Sequence, residues 1–569
     1  MTDILSIQNL SVEFKTEQKS VHAVKNLNLN LKKGEVLGIV GESGSGKSVT
    51  ALSIMRLLTM PPAAFSSGKI LFQKNAAEIP IDLIEAPEKT LQTIRGKEIA
   101  MIFQEPMTSL NPVIKCGHQI TEAIQIHQKI SYKSSKELTL RLFESVKLPN
   151  PERIFNAYPH QISGGQKQRV MIAMAISCQP TILIADEPTT ALDVTVQKSI
   201  LELLKEIRET SGLSMIFISH DLGVIYELCD RVAVMYQGEL VEEGLVQEVF
   251  QHPVHPYTKG LIACRPSLKH KLNRLPTIQQ FLDNDKYDVR VINSSALEKR
   301  RNSLLDQQPL IKIESLRVKY PDKKNVFGIT TSWLHSVDDV SFDIYPGETF
   351  GLAGESGCGK TTLGRSIARL TSAQAGRIFY NDVELLSLSE PEFLPYRKAI
   401  QVVFQDPYSS LNPRMTIGNA IAEPMEVHRL HGSATNRKAK TIELLETVGL
   451  SADQFNRYPH EFSGGQRQRI CLARALALEP QFLVCDEMVS ALDVSVQATI
   501  LNLLMDLQEK FGLTYLFISH DLSVIKQMCD RLLIMKDGKQ EGLGIADDLF
   551  ENPPTEYVKK LIKAIPGQS

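Results

Sequence analysis

The stretch Gly41, Glu42, Ser43, Gly44, Ser45, Gly46, Lys47, Ser48 constrains the fold of this chain more than any other. It follows the apolar run 36–40 and precedes residues 49–58, whose apolar positions recur at helical spacing. Strand, glycine loop and helix in that order form the setting that the pattern GxxxxGK[ST] requires. Glycines let backbone N–H groups turn inward around phosphate oxygens, and the helix N-terminus adds its partial positive charge. In such a cradle Lys47 reaches the β- and γ-phosphates and the Ser48 hydroxyl holds Mg²⁺. The pattern returns as Gly354, Glu355, Ser356, Gly357, Cys358, Gly359, Lys360, Thr361, behind the apolar run 349–353. Two matches in one setting predict two phosphate sites.

The rest of the chain repeats as well. Tyr-Pro-His-Gln-Ile-Ser-Gly-Gly-Gln at 158–166 matches Tyr-Pro-His-Glu-Phe-Ser-Gly-Gly-Gln at 458–466, an offset of 300. Asp186 and Glu187 match Asp486 and Glu487, and His220 matches His520, at the same offset. Gln104 matches Gln405 at 301, whereas Lys47 and Lys360 stand 313 apart, so the first copy carries extra residues before Gln104. The polar, Pro-containing stretch 73–88 is the expected place for them. One domain is written twice, over 1–265 and 309–569, with 266–308 as a connector expected to pack partly on the first domain. The slight basic excess of the connector reads as a solvated surface.

In each copy, buried-strand runs such as 181–185 and 215–218 alternate with helical patterns. The predicted fold class is α/β, with a mostly parallel sheet core covered on both faces. The alternating stretch 4–14 predicts an antiparallel β subdomain, and the region between Gln104 and Ser163 a helical one. A net charge of −2 leaves no global field for nucleic acid. No apolar run approaches the roughly 18 residues that span a bilayer, and the N-terminus lacks signal-peptide character. Any membrane role therefore comes through partners. The eight cysteines are scattered without a CxxC pair, which predicts thiols in a reducing compartment rather than a metal cluster or disulfide framework.

Asp186 and Glu187 end an apolar strand, as do Asp486 and Glu487. Beside a phosphate cradle, the first acid of each pair can bind Mg²⁺ and the second can orient or deprotonate the attacking water. Ser163, Gly164, Gly165 and Gln166 fit a capping box ahead of an apolar helix. Their glycines also expose N–H groups at a helix N-terminus, a second anion site in a domain that already has one. Ser463, Gly464, Gly465 and Gln466 repeat it.

With these motifs in both halves, the chain resembles tandem ATP-binding cassette proteins. Its wording, including Ser-Leu-Asn-Pro after each Phe-Gln and His255-Pro-Tyr-Thr-Lys-Gly260, is similar to the ATPases of dipeptide, oligopeptide, glutathione and nickel importers. The resemblance implies ATP and Mg²⁺ as cofactors, with Phe14 and Tyr320 stacking on adenine. It implies that Gln104 and Gln405, the glutamines of the Q-loops, contact the metal or water and couple to membrane subunits. Ala191-Leu192-Asp193 and Ala491-Leu492-Asp493 would be the D-loops, and His220 and His520 would contact the γ-phosphate. A head-to-tail arrangement follows, in which Ser463 completes the site of Lys47 and Ser163 that of Lys360. The connector would raise the halves' effective concentration to about millimolar.

The implied partners are two transmembrane permeases, docking near the Q-loops and helical subdomains, and indirectly a periplasmic or extracellular solute-binding protein. No nucleic acid is expected. The implied location is the cytoplasmic face of the bacterial plasma membrane, as a peripheral subunit. A soluble translation factor acting on the ribosome, or a nickel or other non-peptide importer subunit, is the alternative. Three departures stand out. Met488-Val489 replaces Pro188-Thr189, Pro554-Thr-Glu-Tyr557 only loosely echoes His-Pro-Tyr-Thr, and Cys358 sits inside the second cradle as expected filler. The absence of a cysteine cluster implies no iron–sulfur centre, and the cargo is chosen outside this chain.

Overall fold

The computed structural model describes residues 3–15, 20–75, 77–104, 109–189, 192–283, 290–324, 330–490 and 492–565. Ala191 and Ala491 lie outside them. The chain divides into two compact units, one of 1–262 with 278–285 and 566–569, the other of 263–277 with 286–565.

In the first unit a six-stranded sheet runs Glu239–Leu245, Arg231–Tyr236, Val36–Val40, Ser214–Ile218, Ile182–Asp186, Ile99–Ile102. All neighbours are parallel except the edge strand Glu239–Leu245. The three central strands are buried at every position, which is why they read as unbroken apolar runs. Ile39 pairs with Ile218, and Ile218 with Asp186. The strands therefore end level, and the glycine loop, Glu187 and His220 all leave the sheet at its carboxyl edge, where open α/β sheets bind ligands.

A four-stranded antiparallel sheet orders Ser20–Lys32, Asp3–Lys15, Ala63–Phe72, Ile81–Asp82. Its buried Ile7, Leu10, Val12 and Ile70 share a core with Ala51 and Ile54 of the helix that leaves the first cradle. Helices Cys116–Gln128, Tyr132–Ser145 and Pro151–Asn156 fill the region expected to be helical.

The second unit repeats this plan, with Thr349–Gly354 inside a six-stranded sheet and Ile311–Lys324 inside a four-stranded one. The extra length of the first copy is split. Part is the turn at 73–80, which two residues, 381–382, replace in the second copy. Part lies upstream, where Ala63–Phe72 is longer than Ala375–Tyr380.

Within the connector only 278–285 groups with the first unit; its flanks belong to the second. There Lys271 Nζ donates to Cys529 O at 2.8 Å, and Leu272 exchanges hydrogen bonds with the buried Gln527 at 3.0 and 2.6 Å. Leu275 does the same with Asn502 at 2.8 Å each way, and Arg274 pairs with Asp506 and Glu509 at 2.8 Å. This stretch is a strap on the second cassette, and its basic residues are spent on that docking.

Candidate functional site: two nucleotide cradles

Each glycine loop is shaped by contacts that exclude side chains. Gly46 has φ 101°, and a Cβ there would lie 2.5 Å from Ala23 O. Gly359, at φ 105°, would collide with Ser336 O. Lys47 is buried, and its Nζ donates to Gly41 O at 2.7 Å and Glu42 O at 2.8 Å. Lys360 Nζ does the same to Gly354 O and Glu355 O, both at 2.8 Å. The ammonium is thus held over the cradle by carbonyls of its own loop. Ser45 Oγ is buried without a hydrogen-bond partner among the described residues, a hydroxyl that a phosphate oxygen would satisfy. Cys358 replaces it in the second loop; burial pushes that thiol up, so it stays protonated.

Of the residues expected at Mg²⁺, the hydroxyl and the aspartate come together in each cassette, whereas Gln104 and Gln405 bond to Glu187 and Glu487. Ser48 Oγ lies 3.2 Å from Asp186 Oδ1, and Thr361 Oγ1 lies 2.9 Å from Asp486 Oδ1. Both carboxylates are nearly inaccessible; burial pushes Asp186 up to about 6 and raises Asp486 as well. One hydroxyl and one carboxylate make a sparse, hard-oxygen donor set. That suits Mg²⁺ completed by phosphate and water, and it is too few ligands for a protein-only cage.

Around each cradle a glutamate collects the other two groups. Glu187 Oε2 accepts from Gln104 Nε2 at 3.2 Å and lies 3.1 Å from His220 Nδ1. Glu487 Oε2 accepts from Gln405 Nε2 at 2.9 Å and lies 3.4 Å from His520 Nδ1. Both glutamates adopt φ 48°, the left-handed backbone region that non-glycine residues enter uncommonly. Burial opposes charge on His220, but its hydrogen bond and attraction to Glu187 outweigh this and raise it. Burial likewise works to raise Glu487, yet the hydrogen bond and charge of His520, with Lys360, hold it below its usual value.

The segments Ser163 to Gln166 and Ser463 to Gln466, the signature segments, start helices Gly164–Ile176 and Gly464–Leu476 with complete capping boxes. Ser163 Oγ accepts from Gln166 N at 3.3 Å, and Ser463 Oγ from Gln466 N at 3.4 Å. The two glycines of each differ. A Cβ on Gly165 would meet Val196 at 2.8 Å, and one on Gly465 would collide with Val496, so packing demands glycine. At Gly164 the nearest atom would be 3.9 Å away and at Gly464 3.8 Å, so those faces are open. Asp193 and Asp493 of the D-loops cap the following helices through Val196 N and Val496 N, at 2.9 and 3.1 Å. Phe14 is half-buried and packs against the core of its unit, whereas Tyr320 is exposed.

The ABC transporter family matches residues 24–190 and 337–490, and the oligopeptide/dipeptide transporter C-terminal region matches 241–286. The chain belongs to the ABC transporter family. Among curated relatives, the glutathione import ATP-binding protein GsiA of Salmonella typhimurium is 46% identical over 569 residues, covering 99% of this chain and 90% of the relative. That of Escherichia coli is 45% identical over 581 residues, with the same coverage. Among solved structures, a dimeric ATP-binding cassette bound to ADP and Pi is 29% identical over 42% of this chain and 98% of its own, with a TM-score of 0.38.

This ABC transporter ATPase carries one pair of site residues that the motifs did not reveal. The fully buried Tyr257 accepts at its hydroxyl from Glu42 N at 2.9 Å, and Tyr557 from Glu355 N at 3.4 Å. Each tyrosine ties a C-terminal helix, Pro256–Ala263 or Glu556–Lys563, to the rim of its own cradle. The signal was present in the sequence. Tyr557 stands 300 residues after Tyr257, although the surrounding words match poorly.

Proposed function

We propose that this ABC ATPase powers import of glutathione or similar small peptides, hydrolysing Mg-ATP at two sites and working through separate permeases. The observation that carries the reading is 45–46% identity to glutathione import ATP-binding proteins over both cassettes and the connector. Ser48 with Asp186, and Thr361 with Asp486, would hold Mg²⁺, with Gln104 and Gln405 nearby, and the ion would supply neutralisation of phosphate charge. Lys47 and Lys360 leave their loop carbonyls for phosphate oxygens. Glu187 and Glu487 accept a proton from the attacking water at Oε2, and the glutamines and histidines on that same oxygen aim it. His220 and His520 turn to the γ-phosphate once it is present.

Phe14 and Tyr320 supply the adenine-stacking surfaces. Ser163 to Gln166 and Ser463 to Gln466 complete the nucleotide site of the other cassette, their open glycines presenting N–H groups to phosphate. The permeases dock beside the Q-loops. In the second cassette a cavity of about 320 Å³ opens between the strand leading to Gln405 and the helical subdomain, lined by Val403, Phe404, Pro424, His428 and Arg474. It suits a short cytoplasmic helix of a permease. Among the described residues no helix is long and apolar enough to cross a membrane, and such docking would hold the protein at the cytoplasmic face.

Affinity purification of the full chain from its native host tests the reading. Two permeases should co-purify, and cells lacking the chain should lose ATP-dependent uptake of labelled glutathione. Recovery with ribosomes, or loss of nickel uptake with peptide uptake intact, overturns it.

A further inference from the structure

The two cassettes differ in charge beside the carboxylate expected to hold metal. Helix Lys47–Ile54 carries Leu52 at the place where helix Lys360–Ile367 carries Arg365. Arg365 Nη2 lies 4.0 Å from Asp486 Oδ2, and the guanidinium carbon lies 5.9 Å from the ring centroid of Phe404, the residue before Gln405. The other oxygen of Asp486 accepts from Thr361 Oγ1 at 2.9 Å. The buried carboxylate of the second site is therefore flanked by a hydroxyl and, at 4.0 Å, by a half-exposed cation. In the first site Ser48 stands 3.2 Å from Asp186, and Leu52 brings no charge.

We propose that Arg365 is a positioning residue that gives the second ATP site a higher Mg²⁺ requirement than the first, while tying Asp486 to the strand end that bears Gln405. The inference rests on the reading of Asp186 and Asp486 as the Mg²⁺ carboxylates. Arginine keeps its charge throughout the physiological range, and its plane can face a ring and a carboxylate together. With no metal bound, the guanidinium occupies part of the field that a divalent cation would use. When the cation arrives, Asp486 exchanges one positive partner for another, and Arg365 is left to Phe404. Metal occupancy is thereby coupled to the Q-loop in one cassette only. About half of the Arg365 side chain is exposed, so solvent screens the pair and keeps the effect moderate.

The test is binding of a fluorescent ATP analogue to the full chain carrying Lys47→Ala, so that the second cradle is read alone, during titration with Mg²⁺. Arg365→Met should lower the half-saturating Mg²⁺ concentration about two- to fivefold, the size expected of a half-exposed ion pair. Arg365→Lys should keep the parent's requirement. Conversely, Leu52→Arg in a Lys360→Ala background should raise the requirement of the first cradle. An unchanged Mg²⁺ midpoint in Arg365→Met, or no shift with Leu52→Arg, overturns the proposal while leaving the ATP-site reading intact. If the Lys47→Ala parent binds no nucleotide at any Mg²⁺ level, the reading of the second cradle fails and the proposal falls with it.

Discussion

In the first cassette the polypeptide leaves Glu187 through Pro188 and Thr189; in the second it leaves Glu487 through Met488 and Val489, both buried. The turn is the same in both. Each glutamate sits at φ 48°, and each N–H donates across the sheet, Glu187 to Ile218 O at 2.9 Å and Glu487 to Ile518 O at 3.0 Å. The carboxylate is therefore aimed by the ladder between two parallel strands, and the identity of the next two residues matters little. Where the cassettes do diverge is in the supports: Ser45 against Cys358, Leu52 against Arg365, and a tyrosine at 2.9 Å against one at 3.4 Å. Doubling has kept the reacting groups alike and let their surroundings drift.

The strongest way to break that comparison is to remove both glutamates. Glu187→Gln with Glu487→Gln should lower steady-state ATPase about 10²–10⁴-fold, the range of general-base catalysis, with ATP binding retained. Equal losses from the two single variants would mean equivalent sites. Unequal losses would assign the difference to the supports, because the glutamates themselves are placed alike. A next step is Ser463→Arg, which fills the signature helix start with a bulky cation. Hydrolysis trapped at the Lys47 site should fall to background, and Ser163→Arg should do the same at the Lys360 site. Intact trapping at the Lys47 site in Ser463→Arg would remove the exchange of signatures from the proposed mechanism.

The cradle, the acid pairs, the histidines and the capping boxes were legible because each is a short run of residues whose chemistry depends on local backbone. Gly46 must take positive φ, Ser163 must cap a helix, and Asp186 must end a strand; sequence spacing records all three. The convergence of Gln104 and His220 on one oxygen of Glu187 was not foreseen, since the resemblance assigned them only to metal, water and γ-phosphate and strand register decides the rest. The connector's attachment was misread in part. Its charges looked like a solvated surface, yet Arg274 and Lys271 serve docking to residues more than 200 positions away. Tyr257 escaped for a similar reason. The run His255–Gly260 reads only as family wording, and only the fold shows the hydroxyl of Tyr257 under Glu42 N.

That tyrosine offers a middle-sized effect. Tyr257→Phe removes the buried hydroxyl that accepts from Glu42 N, a cost of about 1 kcal/mol. Nucleotide affinity at the first cradle should fall about fivefold. Tyr557→Phe breaks a longer bond, 3.4 Å, and should fall by less. Equilibrium binding in the Lys360→Ala and Lys47→Ala backgrounds measures each. A larger loss at the second cradle would show that distance does not rank these two supports.

The last contrast concerns an ion pair that recurs in both units, and it is read in stability rather than in activity. In the first unit Glu35 meets Arg231 at two points, 2.8 and 3.2 Å. In the second, the fully buried Glu348 meets Arg531 at 3.3 Å and accepts from Tyr345 N at 2.7 Å. Burial pushes Glu348 up to about 7, and the single contact with Arg531 only partly opposes it. An acid whose folded value exceeds its unfolded value binds a proton on folding. Its contribution to stability is therefore present below about pH 4.5 and is lost as pH rises towards about 7. Glu348→Gln cannot ionise, so the melting temperature of the variant should decline less than that of the parent between those limits. Glu35→Gln, which breaks a two-point pair, should instead lower stability across the whole range. Calorimetry of the full chain at several pH values decides between them, and parallel pH profiles for the parent and Glu348→Gln would mean that Arg531 fully compensates the buried charge.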